Sequence, residues 1–201
     1  VERRREPADD LISILIATET SGGDHLEDLE LLATLTLLLA AGNETTTNVI
    51  GTGLALLIEH PDRRAELIAD PSLIPAAVEE MLRYEPPIHF NFRKTTGPTR
   101  LGDHDLEAGT MLLVCPPAAN RDPRRFADPL EFDIHRTDNR HLAFAHGIHF
   151  CVGAALARLE LVVVLEQMLG HYPEMRFGAT PPVRRSANST VRGYESLTVR
   201  L

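Results

Sequence analysis

Cysteine is nearly absent, with only Cys115 and Cys151 in 201 residues. That excludes a secreted mini-domain stapled by disulfides and makes a reducing cytoplasm the expected compartment. Tryptophan is missing altogether and aromatics make up 5%, so any core must be built largely from aliphatic side chains. No apolar run reaches the ~18 residues of a membrane span. The most hydrophobic segment, Leu29 to Gly42, carries Glu30 and two threonines and runs into Asn43-Glu44. Excess positive charge is lacking too. Lys and Arg number 20 against 29 Asp and Glu, a net −9 at pH 7, which argues against a general nucleic-acid surface or a polybasic membrane anchor. Val1-Glu2-Arg3-Arg4-Arg5 is followed by no apolar stretch, a pattern without a signal peptide. Hydrophobic content of 43% and charged content of 24% are those of an ordinary globular chain.

The apolar residues are arranged mainly at helical spacing. Asp9-Asp10 before Leu11–Ile16 predicts a capped helix, closed by Ser21-Gly22-Gly23. From Asp24 to about His60 no proline intervenes, and Leu29, Leu32, Leu35, Leu38 and Leu39 predict one long helix. Gly42 and Thr45-Thr46-Thr47, poor helix formers, sit in its middle. Pro61 and Pro71 bracket a helix over 62–69, and Pro75–Tyr84 forms another, stopped by Glu85-Pro86-Pro87. Ile88–Val114 reads as short strands and turns, and Cys115–Arg140 as a meander anchored by Phe126 and Phe132. Gly153–Leu169 reads as an amphipathic helix and Val183–Leu201 as a strand pair.

Three segments carry candidate chemistry. Phe144-Ala145-His146-Gly147-Ile148-His149-Phe150-Cys151-Val152-Gly153 runs straight into a helix. A cysteine there meets unpaired backbone N–H groups and the positive end of the helix dipole, which favour a thiolate. Gly147 and Gly153 allow tight turns and close approach to a flat ligand. From these residues alone a structural cysteine is an open alternative, as is zinc held by His141, His146, His149 and Cys151. In the long helix, Thr45 follows Ala41 by one turn, so its hydroxyl can compete for the Ala41 carbonyl and loosen the ladder. With Glu44 it offers a proton path. Glu80 and Arg83 stand at i and i+3 among apolar neighbours; Arg83 is placed to lock the meander through a residue such as Arg136.

Together and in this order, these segments resemble the C-terminal half of a soluble bacterial cytochrome P450. Ala41-Gly42-Asn43-Glu44-Thr45 matches the oxygen-binding turn of that family's long central helix, and Glu80-x-x-Arg83 its Glu-x-x-Arg helix. Asn120-Arg121-Asp122-Pro123 and Phe132-Asp133-Ile134-His135-Arg136 match its meander. Phe144-x-x-Gly147-x-His149-x-Cys151-x-Gly153 matches the haem-binding loop. The fold implied is mainly α with small β-sheets, residues 1–201 forming one C-terminal part of the family's domain.

The resemblance implies haem b (iron protoporphyrin IX), with Cys151 as axial thiolate of the iron and Ala41, Phe144 and Gly153 against the cofactor. Arg93 and His149 match propionate-binding positions. Glu44 and Thr45 correspond to the acid–alcohol pair that passes protons toward dioxygen, and Ile88, His89 and Phe90 to a segment lining the substrate pocket. Glu80, Arg83 and Arg136 look like a structural triad. The implied activity is monooxygenation of a small organic substrate by dioxygen, with electrons from a ferredoxin-type donor and no nucleic acid or membrane partner. A non-catalytic haem-binding remnant or accessory protein is the alternative. Family members are about twice this length, and their N-terminal half covers the pocket. Without it, an uncovered apolar face is expected to promote association. Ala145 stands where many members have glycine.

Overall fold

The computed structural model describes residues 2–18, 23, 25–186 and 190–201, and the chain divides into two compact units, 1–44 and 45–201. In the first, α1 (Glu2–Arg5) precedes α2 (Leu11–Ala17). Asp10 caps α2 as its sequence predicts: its carboxylate accepts the Ser13 N–H at 2.8 Å and is held by Arg3 at 2.7 Å. α2 ends at Ala17 with Thr18 as its C-cap, and Ser21 and Gly22, expected to close it, lie outside the described residues. α3 (Asp28–Glu59) begins in the first unit and ends in the second. Its start is four residues later than expected, where Glu30 reaches back to accept the Glu27 N–H at 3.0 Å, a capping interaction.

The second unit is built on the last turns of α3 together with α4 (Pro61–Ala69), α5 (Ile74–Tyr84) and α7 (Ala154–His171), α6 being the short Pro116–Ala119. α5 buries Ile74, Ala77, Val78, Met81 and Leu82, the i, i+3, i+4, i+7, i+8 stripe of a one-faced helix. α7 buries Leu161, Leu165 and Leu169 at four-residue spacing. These meet Leu57, Leu67, Phe132, Ile134 and Met175 in one core, where each large aliphatic side chain contributes roughly 1.5–3 kcal/mol.

Four two-stranded antiparallel pairs complete the fold among the described residues. β1 (Asn91–Lys94) pairs with β4 (Met111–Val114), and β2 (Thr99–Leu101) with β3 (His104–Leu106). β5 (Arg176–Phe177) pairs with β8 (Val199–Arg200), and β6 (Val183–Arg184) with β7 (Tyr194–Ser196). The C-terminal region is thus two strand pairs and not one; two residues of β5 are too few to show a period. An isolated antiparallel bridge joins Ile88 to Val191. Near it, Gly193 lies so close to α3 that a Cβ there would fall 1.9 Å from the Asn48 Oδ1.

The loosened turn expected at Ala41–Thr45 does not interrupt α3, which is α-helical from 28 to 59. A carbonyl has two lone pairs, so a threonine hydroxyl can share one without displacing the ladder. Thr34 does so, donating to the Glu30 carbonyl at 2.8 Å within the same helix. α7 also runs to His171, two residues beyond the expected end. Among the described residues no helix is long and apolar enough to cross a membrane.

Candidate functional site

α5 supplies the foundation. Its i, i+3 spacing sets Glu80 and Arg83 side by side, both side chains fully buried. Arg83 uses all five of its N–H groups. Nε and Nη2 donate to the two Glu80 oxygens at 2.8 and 2.7 Å, and Nη1 and Nη2 donate to the carbonyls of Asn120, Pro129 and Glu131, each at 2.9 Å. Glu80 in turn accepts from the Asp133 N–H at 2.9 Å, Asn139 Nδ2 at 3.1 Å and Arg136 Nε at 3.2 Å. One carboxylate and two guanidinium groups therefore tie α5 to both ends of the meander. Asn120, also fully buried, returns the bond by donating to the Arg83 carbonyl and accepts the Leu142 N–H at 2.8 Å. That last bond hands the order of the meander on to the loop before α7.

The loop itself is shaped by backbone geometry. Ala145 and Gly147 have φ of 61° and 70°, the left-handed region that glycine occupies freely and alanine at a cost. A short 3₁₀ turn follows at Gly147–His149, and the Cys151 N–H closes the loop on the Phe144 carbonyl at 2.9 Å. Cys151 is exposed, with Gly153 positioned so that its missing Cβ would lie 3.9 Å from Sγ. Apolar side chains beside it stand in the open: Ile148 is 98% and Val152 89% exposed.

A second carboxylate stiffens this loop from behind. Arg158, one face of α7, donates to Glu79 at 2.6 and 2.9 Å and lies over the Phe144 ring, 4.5 Å from its centroid. His141 sits 3.2 Å from the same carboxylate and accepts the Ala143 N–H on its other ring nitrogen. Burial pushes Glu79 upward, but the hydrogen bonds from His141 and Arg158 outweigh it and bring it from 4.5 to about 2. The Arg158 guanidinium is raised, chiefly by its bonds to Glu79.

A family model described as cytochrome P450 matches residues 2–182. The chain belongs to the cytochrome P450 family. It is 46% identical to cytochrome P450 107B1 of Saccharopolyspora erythraea over 201 residues, covering 99% of this chain and 49% of that protein. It is 41% identical to the 6-deoxyerythronolide B hydroxylase of the same organism, covering 100% and 50%. Among solved structures, cytochrome P450 CYP109Q5 from Chondromyces apiculatus superposes with a TM-score of 0.93 at 45% identity, covering 99% of this chain and 51% of that one. The chain spans about half the length of the curated relatives it matches.

Within this P450 chain, the expected site residues fall into separate groups. Phe144, Cys151 and Gly153 are brought together in the loop. His149 is exposed in the 3₁₀ turn, and Arg93 is exposed on β1, where its Nη1 donates to the Phe92 carbonyl at 2.8 Å. Ile88, His89 and Phe90 are half-buried after the double proline, and the His89 N–H donates to the Thr190 carbonyl at 2.8 Å. Ala41 and Glu44 lie on α3 in the first unit and Thr45 begins the second, Ala41 exposed and the other two half-buried.

The donor set suits a haem iron. A single exposed sulfur on a glycine-turned loop, with the exposed apolar residues Ile148, Phe150 and Val152 next to it in the chain, suits one ligand to the metal of a flat macrocycle and not a tetrahedral ion. Zinc does not fit the described residues: no three of His, Cys, Asp and Glu converge as metal ligands, and His141 is engaged by Glu79 and Ala143. The Glu79–Arg158 pair is the part of the site that the sequence did not reveal, since 79 positions separate its members.

Proposed function

We propose that this chain is the haem-binding part of a haem-thiolate monooxygenase, with Cys151 as the axial ligand of haem b. The observation that carries the reading is the exposed Cys151 sulfur on its glycine-turned loop, in a chain of the cytochrome P450 family. Bound haem would supply dioxygen activation, because an axial thiolate pushes electron density onto the iron and favours O–O cleavage. The protein's own residues do the rest. Arg93 and His149 hold the propionates by charge-assisted hydrogen bonds, and Ala41, Phe144 and Gly153 pack against the macrocycle. Glu44 and Thr45 move protons, the carboxylate as reservoir and the hydroxyl as relay. Ile88, His89 and Phe90 line the chamber of a small organic substrate. Electrons come from a ferredoxin-type donor, and the compartment is the cytoplasm.

A second reading draws on the exposed Leu29, Leu32, Leu37 and Leu39 of α3: the chain binds haem without turning over and associates through these apolar side chains. The test of the first is an absorption spectrum of the haem-loaded chain, reduced and bound to carbon monoxide. Wild type should show a thiolate-type band and Cys151→Ser should lose it; an unchanged spectrum in the variant would overturn the ligand assignment. A thiolate-type band without substrate oxidation by the whole protein would favour the second reading.

A further inference from the structure

Arg158 is the fifth residue of α7 and the seventh after Cys151. Helical side chains lean toward the helix N-terminus, so a long one here reaches back to the loop from which α7 springs. Its guanidinium does so, with Cζ 4.5 Å from the centroid of the Phe144 ring. Phe144 is joined to the sulfur's own residue, since its carbonyl accepts the Cys151 N–H at 2.9 Å. The same ring has His141 at 6.0 Å and Phe150 at 6.5 Å, centroid to centroid, and packs against the core. One cation therefore bears on the cysteine loop through a ring held on several sides.

That cation is paired. Glu79 on α5 accepts from Arg158 Nε and Nη2 at 2.6 and 2.9 Å. The buried His141 ring lies 3.2 Å from the same carboxylate; its Nδ1 accepts the Ala143 N–H, which leaves Nε2 to donate to Glu79. Burial raises Glu79, yet the hydrogen bonds from His141 and Arg158 bring it to about 2, so the carboxylate is ionised at neutral pH. The guanidinium is raised most by its bonds to Glu79, and the negative charge of Cys151 adds to them. The pair thus sets one positive and one negative charge behind the loop, with the positive member over the Phe144 ring.

We propose that Arg158 is a positioning residue for electron uptake at this site: acting through Phe144 and balanced by Glu79, its charge sets how readily a metal bound to the Cys151 sulfur is reduced. The inference rests on the reading of Cys151 as the axial ligand of haem. Reduction adds one negative charge at the metal, which a nearby cation favours and a lone carboxylate opposes. Both side chains are partly exposed, 37% for Arg158 and 30% for Glu79, so solvent weakens each contribution. Because their signs are opposite, removing one leaves the other uncancelled.

The test is a spectroelectrochemical titration of the haem-loaded 201-residue chain at neutral pH, comparing wild type with Arg158→Gln, Arg158→Lys and Glu79→Gln. Arg158→Gln should lower the ferric–ferrous midpoint and Glu79→Gln should raise it. Each shift should amount to about threefold to tenfold in the ferric-to-ferrous ratio at fixed potential, the scale of an interaction between partly exposed charges, tenfold being about 59 mV for one electron. Arg158→Lys keeps the charge without the fork and should return the midpoint toward that of wild type. The two glutamine variants break the same pair, so a role confined to holding the loop would move the midpoint the same way in both. Shifts of one sign, no shift in folded variants, or a lysine variant that matches the glutamine one overturns the proposal. If Arg158→Gln does not fold, Glu79→Gln decides by its sign: a rise supports the proposal, and no change or a fall overturns it. A wild-type chain without the thiolate-type band sinks the haem-thiolate reading and this inference with it; that band together with shifts of one sign sinks this inference alone.

Discussion

Replacing Arg83 by lysine keeps the buried charge and removes only its shape, which makes it a direct measure of what the guanidinium contributes. Arg83 places five N–H donors on five acceptor sites: two Glu80 oxygens and the carbonyls of Asn120, Pro129 and Glu131. A lysine ammonium has three donors and cannot form the planar fork. At least two buried acceptors therefore lose their partner, each at about 1–3 kcal/mol, for a total of about 2–6 kcal/mol. Against a usual domain stability of roughly 5–15 kcal/mol, that is a large share. Urea unfolding followed by far-UV circular dichroism gives the loss by linear extrapolation. The damage should also be local, so the Asp133 amide, which donates to Glu80 at 2.9 Å, should exchange its hydrogen faster than core amides of α7. A loss below about 1 kcal/mol, near the value of an exposed pair, would refute the reasoning, because it would mean that the meander holds its course without the fork.

Ala145→Gly relieves a left-handed alanine (φ 61°); against the ~1–2 kcal/mol cost of that conformation stands the lost rigidity of the unfolded chain, so a gain of about 0.5–1 kcal/mol is expected in urea unfolding, and a net loss would count against it. Glu79→Gln tests the support behind the cysteine loop: because the folded carboxylate lies at about 2 against an ordinary 4.5, its ionised form stabilises the fold above pH 4.5, and this is lost as pH falls toward 2. The variant should therefore show a flatter acid limb in thermal unfolding between those values, and an unaltered slope would contradict the assignment. Gly193→Ala places a Cβ 1.9 Å from the Asn48 Oδ1, an overlap expected to cost about 1–3 kcal/mol; a variant with an unchanged melting temperature would show that the close approach can open freely.

What could be read from the chain was what lies close along it. The cysteine loop is ten contiguous residues, so its glycines, its sulfur and the helix after it were visible together. Glu80 and Arg83 could be paired because one helix turn joins them. Arg136 was nameable only by its place in the meander; its 3.2 Å approach to Glu80 spans 56 positions. His141 shows how proximity in sequence misleads. Read locally, it belonged with His146, His149 and Cys151 as a zinc ligand, yet its ring turns to Glu79, 62 positions away. Ala145 carries no local sign of the left-handed backbone it adopts, and only its positive φ shows what the loop asks of that position.

The order of the polypeptide settled the local matters: where α2 is capped, which stripe of α5 is apolar, and which sulfur stands before α7. These depend on residues within a turn or two of one another, where backbone preference and side-chain spacing decide. Packing alone settled which distant charges meet. Glu85 collects Arg121, Arg184 and Arg192, and Glu79 collects Arg158 and His141, because core formation brings their helices and strands into register. A carboxylate's partner is fixed by whichever donor the fold delivers to within about 3 Å, and no linear pattern encodes that distance.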